Sequence, residues 1–348
     1  MDFEHIFYAT DAEKLGHMES LRDGLFTFGR PNIKYRLLQS LTDGTRTLCI
    51  KVDHGSYDGT LLRIFDDQFR AIARGDTNIP PVNSFKKFID WAHGVDRSEA
   101  LRYWKRSLHS YTPGHNLPLQ PISDRLKFAV VNADVDSTAS AFGVTASTVF
   151  QAAYSIVAGK LTGANDVLVD NLLTGRNADV ENPQTLNGAC ANFLPFRSKL
   201  SSKETIAKFL KDTQAQFWDT TEHGAVGLND VYKTLNRDRQ VHSAKLLYCF
   251  QPFEPAPATA KPDPMRWIVM AQSKVFMTIN YALMVEVQKT AKGHRFKLQW
   301  DSKALNDEQA DKFTELFSAV LTMMGENKDG RLAELMGIET DLEALWKA

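Results

Sequence analysis

Between Leu48 and Phe69 the hydrophobic spacing changes its period, and the change is completed within seven residues, Asp53-His54-Gly55-Ser56-Tyr57-Asp58-Gly59. Upstream, Leu48, Ile50 and Val52 alternate with Cys49, Lys51 and Asp53, the period of a half-buried strand. Downstream, Leu61, Leu62, Ile64, Phe65 and Phe69 recur at helical spacing. A strand that gives way to a helix over so short a loop needs turn residues, and Asp58-Gly59 supplies them. Extending the strand's parity by one step puts His54 on the side of Leu48, Ile50 and Val52. An imidazole is therefore predicted at a strand end, aimed at the buried face.

The rest of the chain repeats this mixture. Ile33, Tyr35 and Leu37 alternate, and Asp43-Gly44 is a hairpin-type turn, so the strand before His54 gains an antiparallel neighbour. Residues 84–108 read as largely helical, and 113–121 as a proline-bearing linker. Strands follow near 128–135, 166–173, 245–250, 276–287 and 294–300, with helices over 145–160, 204–220 and 307–324. Five prolines between Gln251 and Pro264 keep that stretch out of a central sheet. Strands interleaved with long helices specify an α/β chain. At 348 residues two lobes are expected, with the linker dividing 1–115 from 116–348.

Charge and cysteine content exclude several classes. Lys and Arg number 41 against 42 Asp and Glu, so the basic surplus that holds nucleic acid or an anionic membrane is missing. Cys49, Cys190 and Cys249 are an odd, scattered set, which suits a reducing cytoplasmic setting. The start has no signal-peptide pattern, and no apolar run reaches the ~18 residues of a membrane span. No glycine-rich phosphate loop, zinc spacing or GxSxG elbow occurs; His93, His109 and His115 are too widely spaced for a zinc pattern. No cofactor and no metal are expected.

The HxxxD pattern alone says little. Nine His and 27 Asp in 348 residues give about 0.7 chance occurrences. Its context says more, because a base must be partly desolvated and titrate near neutrality, and an imidazole at a strand end can do both. A plainer reading competes on equal terms: His54 as a core histidine and Asp58 as only a helix N-cap.

Distant segments shift that balance. Residues 53–59 resemble the HHxxxDG motif of nonribosomal peptide synthetase condensation domains, members of the chloramphenicol-acetyltransferase-like superfamily. The second histidine, aspartate and glycine of that motif fall on His54, Asp58 and Gly59. Gly24-Leu25-Phe26 through Gly29-Arg30-Pro31 resembles the family's segment before the motif, and Phe85–Trp91 with Tyr103-Trp104 the stretch after it. Residues 145–153 resemble the second-lobe helix, and Asp166-Val167 with Thr174-Gly175-Arg176 the strand and GR motif beyond it. Gly188 with Asn192-Phe193-Leu194-Pro195-Phe196-Arg197 is similar to the GxxxNxLPxR signature.

The resemblance implies a two-lobed chloramphenicol-acetyltransferase-like fold and attack of an amine or hydroxyl on a thioester, with His54 as base. It implies a small-molecule or carrier-tethered thioester substrate, with a synthetase carrier domain acting in trans as a possible partner. Tyr57, Arg176 and Asn192 become candidates for the pocket, and Asp53, Asp58 and Gly59 for support of the motif.

Two departures bear on this. Asp53 replaces the first histidine, a change similar to the variation in fungal terminal cyclising condensation domains. His54 also arrives early, so the first lobe is expected to be incomplete, its opening helix and strand, with the arginine segment that can pair with the motif aspartate, having no counterpart here. A substitute cation, Arg176 or Arg36, is then expected beside Asp58. The chain is read as a free-standing enzyme of natural-product assembly forming an amide, an ester or a ring. One alternative is a non-acyl cyclase or isomerase of a small diffusible intermediate; another is a non-catalytic domain that binds a carrier protein.

Overall fold

Two β-sheets organise the chain. A computed structural model describes residues 2–24, 26, 27, 29, 32–79, 81–111, 124–237, 244–251 and 281–339. The expected linker at 113–121 and the proline-rich stretch after Gln251 lie outside the described residues. Those described gather into two compact units. One holds the residues up to His93 together with Arg176–Ala191; the other holds Gly94–Gly175 and the residues from Asn192 onward. The chain crosses from unit to unit more than once, because Arg176–Ala191 packs with the first.

In the first unit the sheet has the order β1-β2-β3, with β1 at Asp2–Tyr8, β2 at Ile33–Ser40 and β3 at Arg46–Val52. The hydrophobic spacing left residues 2–23 without an element, yet they form β1 and a helix, α1 (Asp11–Asp23). The helix has a weak apolar face but a full capping box: Thr10 accepts from the Glu13 N–H while the Glu13 carboxylate takes the N–H groups of Ala9 and Thr10. It carries the chain between the parallel strands β1 and β2. The expected hairpin is present, with β2 antiparallel to β3 and Gly44 turning at φ +72°.

Helix α1 covers the face bearing Arg36, Leu38, Cys49 and Lys51. Arg36 donates to the His17 carbonyl, and the Lys51 ammonium to the Arg22 carbonyl at 2.8 Å. The opposite face leaves Phe3, Phe7 and Leu48 largely exposed. Helices α2 (Gly59–Ala73) and α3 (Phe85–Gly94) follow. Asn83 ties the returning segment into the unit: its N–H donates to the Thr185 carbonyl, its carbonyl accepts from Asn187, and its amide reaches the Glu181 carbonyl at 2.7 Å.

The expected helix over 84–108 is two helices, since α4 (Arg97–Ser107) opens separately on the cap of Asp96 and belongs to the second unit. There the six-stranded sheet runs β4-β9-β8-β7-β5-β6. Its strands are β4 (Arg125–Val131), β5 (Asp166–Leu173), β6 (Asn192–Lys199), β7 (Leu246–Gln251), β8 (Leu283–Thr290) and β9 (Gly293–Trp300). Helix α5 (Val135–Phe142) is followed by α6 (Ala146–Thr162), which is buried almost all round, as a core helix must be when apolar residues surround it. A Cβ at Gly159 would come within 2.5 Å of Leu200 Cδ1, so only glycine lets α6 approach this closely.

Phe150, Tyr154, Phe296, Phe313 and Phe317 fill this core. The last two lie on the predicted C-terminal helix, here α9 (Asp307–Glu326), after α7 (Ile206–Glu222) and α8 (Leu228–Thr234); α10 is Leu332–Met336. Among the described residues no single helix is long and apolar enough to cross a membrane.

Candidate active site

The turn between β3 and α2 is built by two aspartates doing different work. Asp53 ends the strand: its carboxylate accepts from the Gly55 N–H at 2.8 Å and starts one turn of 3₁₀-helix, His54–Ser56. Alternation therefore stops at Val52 and does not reach His54, and the face of Leu48, Ile50 and Val52 is in any case not the one that α1 covers. His54 is exposed, with its ring stacked on Tyr57 at 4.4 Å and an interplanar angle of 12°. This corrects the expectation of a buried imidazole on the strand face. Tyr57 is half-buried, and burial, followed by the nearby Asp53 charge, pushes its phenol pKa up.

Asp58 is the anchor. One carboxylate oxygen accepts from the Leu61 N–H at 2.8 Å and caps α2; the other accepts from the Cys190 N–H at 2.8 Å. Both face Arg176 Nη2, at 2.9 and 3.0 Å. The Arg176 side chain is fully enclosed and that of Asp58 nearly so. Arg176 also donates to the carbonyls of Leu186 at 2.7 Å, Gly188 at 2.8 Å and Pro183 at 3.3 Å. One guanidinium thus gathers the loop 176–191 around the carboxylate that starts α2. Of the two cations expected beside Asp58, Arg176 is the partner, whereas Arg36 is engaged by Glu4 on β1.

The remaining candidates sort by what they touch. Gly59 is exposed, and a Cβ there would meet nothing within 4 Å, so its place in the motif is not one of space. Asn192, in the second unit, spends its amide on the fold: Nδ2 donates to the carbonyls of Gly224 at 2.9 Å and Val226 at 2.8 Å, and Oδ1 accepts from the Phe193 N–H. Arg176 and Asn192 are committed to loop carbonyls, whereas within the motif the His54 ring is exposed and the Tyr57 ring half-buried.

Sequence reasoning missed Cys190, whose N–H completes the Asp58 cage and whose buried thiol is pushed up to about 11, chiefly by desolvation. It also missed the seat of Gly188, where a Cβ would lie 2.2 Å from the Phe85 ring. Both follow the GR segment closely in sequence, which was the available signal. A cavity of about 430 Å³ on the second unit, lined by residues including Arg197, Lys199, Phe209, Asp212 and Gln216, shares no residue with the motif.

The profile of the family described as "Condensation domain" matches residues 31–343. Nonribosomal peptide synthetase 7 of Aspergillus fumigatus is 42% identical over 328 residues, covering 92% of this chain and 14% of that protein. Nonribosomal peptide synthetase sidE of the same organism is 37% identical over 328 residues, 92% of this chain and 15% of its own length. The chain thus spans only a small part of these curated relatives. Among solved structures, "The crystal structure of CT" aligns with a TM-score of 0.70 at 20% identity, over 97% of this chain and 77% of that one. The condensation domain from the Monacolin K polyketide synthase MokA aligns with a TM-score of 0.66 at 16% identity, over 95% and 80%. These likenesses show the fold.

Proposed function

The chain belongs to the condensation-domain family, and from that premise we propose that it transfers an acyl group from a carrier-tethered thioester to an amine or hydroxyl, forming an amide, an ester or a ring. His54 takes the proton of the attacking group. The observation that carries this reading is the Asp58 cage: Arg176 and the Cys190 N–H fix the start of α2, so the turn holding His54 is set from both ends while its imidazole stays exposed. Tyr57 supplies the face on which the imidazole rests. Asp53 shapes the turn through Gly55 and does not act on substrate. Asp58, Arg176 and Asn192 serve by holding backbone.

A motif-bearing lobe and a second lobe belong to the same reading, with the expected boundary at 115/116 moved to His93/Gly94 and Arg176–Ala191 returned to the first, as do a cytoplasmic setting and a carrier domain as partner. The fungal synthetases among the relatives support carrier-tethered chemistry over a free intermediate.

The test is turnover of aminoacyl and peptidyl thioesters on carrier domains, with products read by mass spectrometry, for wild type and His54→Ala. Removing a general base lowers kcat by about 10²–10⁴-fold with little change in KM. Unchanged turnover in His54→Ala refutes the base. Turnover of free intermediates alone would move the chain to cyclase or isomerase chemistry, and carrier binding without turnover to a docking role.

A further inference from the structure

Strand β4 is an edge of the six-stranded sheet: β9 lies on one side, and among the described residues no strand pairs with the other. Its large apolar residues point away from the core. Leu126, Phe128 and Val130 are 54%, 51% and 71% exposed, whereas Val131, on the other parity, is buried. Soluble sheets usually blunt such an edge with proline, charge or cover. The opposite edge obeys, since β6 carries Pro195 in mid-strand and is buried from Leu194 to Ser198. On β4 the charges lie on the wrong side for this, Arg125 and Lys127 sharing the parity of Val131, with Lys127 paired to Asp311 of α9.

The exposed stripe is one strand wide. Beside it the same sheet face is polar: Glu286 pairs with Lys297, Gln288 accepts from Arg295, and the Arg295 guanidinium lies 5.1 Å from the centre of the Phe128 ring. A helix would have to cover these charges; an added strand need not. From this we infer that β4 pairs with β4 of a second copy of this chain, antiparallel, with Phe128 on the two-fold axis. A two-fold axis perpendicular to the sheet makes like edges antiparallel and keeps their faces in common.

The sequence of β4 is self-complementary in that register. Phe128 opposes Phe128, Leu126 opposes Val130, Lys127 opposes Ala129, and Arg125 opposes Val131. Aromatic and aliphatic pairs meet directly, and no like charges do. The centred register also pairs the whole strand, where a shift in either direction leaves an end unpaired.

Sedimentation velocity on the full chain, from micromolar to hundred-micromolar concentrations, is expected to show a monomer–dimer equilibrium. Phe128→Lys places two ammonium groups against each other and should weaken the dimer by about 100-fold or more. Circular dichroism establishes that the variant is folded. Opposed residues of an antiparallel pair have Cα atoms ~4.5–5.5 Å apart, within disulfide reach. In a Cys49→Ser background, Phe128→Cys should therefore cross-link on oxidation, and Leu126→Cys should not. A wild type that is monomeric throughout the range overturns the proposal. So does a dimer unaffected in folded Phe128→Lys, or cross-linking of Leu126→Cys in place of Phe128→Cys.

Discussion

Replacing Asp58 with alanine removes the carboxylate that three donors share. Arg176 keeps its hydrogen bonds to the Pro183, Leu186 and Gly188 carbonyls but loses both contacts to Asp58, at 2.9 and 3.0 Å, while its side chain has no exposure to water. A buried charge stripped of its partner in this way costs about 3–5 kcal/mol. The Leu61 and Cys190 N–H groups are orphaned as well, and a lost N-cap alone costs about 1 kcal/mol. These losses overlap, so about 4–5 kcal/mol is the reasoned total. For a unit of roughly 100 residues each kcal/mol moves Tm by about 4–8 °C, and the first unit should melt about 15 °C or more below wild type. Calorimetry reads the loss, and hydrogen exchange places it in α2 and residues 176–191. In the double variant Asp58→Ala with Arg176→Met no charge remains in the pocket, so it should be more stable than Asp58→Ala alone. Asp58→Ala melting with wild type, or a double variant whose loss equals the sum of the single losses, would refute the cage.

Two further outcomes test the packing around the site and the core. Gly188→Ala drives a methyl into the Phe85 ring and should cost about 1–3 kcal/mol by overpacking, read from urea unfolding; adding Phe85→Leu should return part of it. His294 is buried against the edge of Phe150, and desolvation lowers its pKa from 6.5 despite the attraction of Asp136. Above that value both states are neutral. As pH falls through it, the unfolded imidazole takes a proton that the folded one resists, so stability declines until the lower folded pKa is passed. Urea midpoints between pH 8 and 5 should show that decline in wild type and lose it in His294→Gln; an unchanged slope would exclude His294 as its source.

The second unit was the more legible part of the sequence because its elements are buried on the pattern that periodicity detects. β5 occupies the predicted 166–173, and α9 presents Phe313, Leu316, Phe317 and Val320 to the core as its spacing requires. The first unit was harder to read. β1 exposes Phe3 and Phe7, and α1 is secured by the Thr10–Glu13 box more than by an apolar face. Periodicity measures burial on one side, and where burial is slight it has no signal to give. The pairing of Asp58 with Arg176 joins residues 118 positions apart. It was expected only through the family resemblance, which pairs the motif aspartate with an arginine and so asked for a cation beside Asp58, a requirement that spacing cannot express.

The misplacement of His54 has the opposite cause: a sound rule was carried one residue too far. Alternation holds only while the backbone stays extended, and Asp53 is a residue whose short carboxylate competes for the N–H groups just ahead of it. By accepting from Gly55 it bends the chain into a 3₁₀ turn, and the next side chain leaves the strand's face. Helix α1 covers the other face of the hairpin, so the turn does not rescue the imidazole from a buried position; it sets it on an exposed loop. On the turn it remains accessible, with one ring face against Tyr57 and the end of the loop held by Asp58. The residue that stands in place of the family's first histidine thus ends the alternation on which the parity argument relied and, by the same hydrogen bond, sets His54 on an exposed turn.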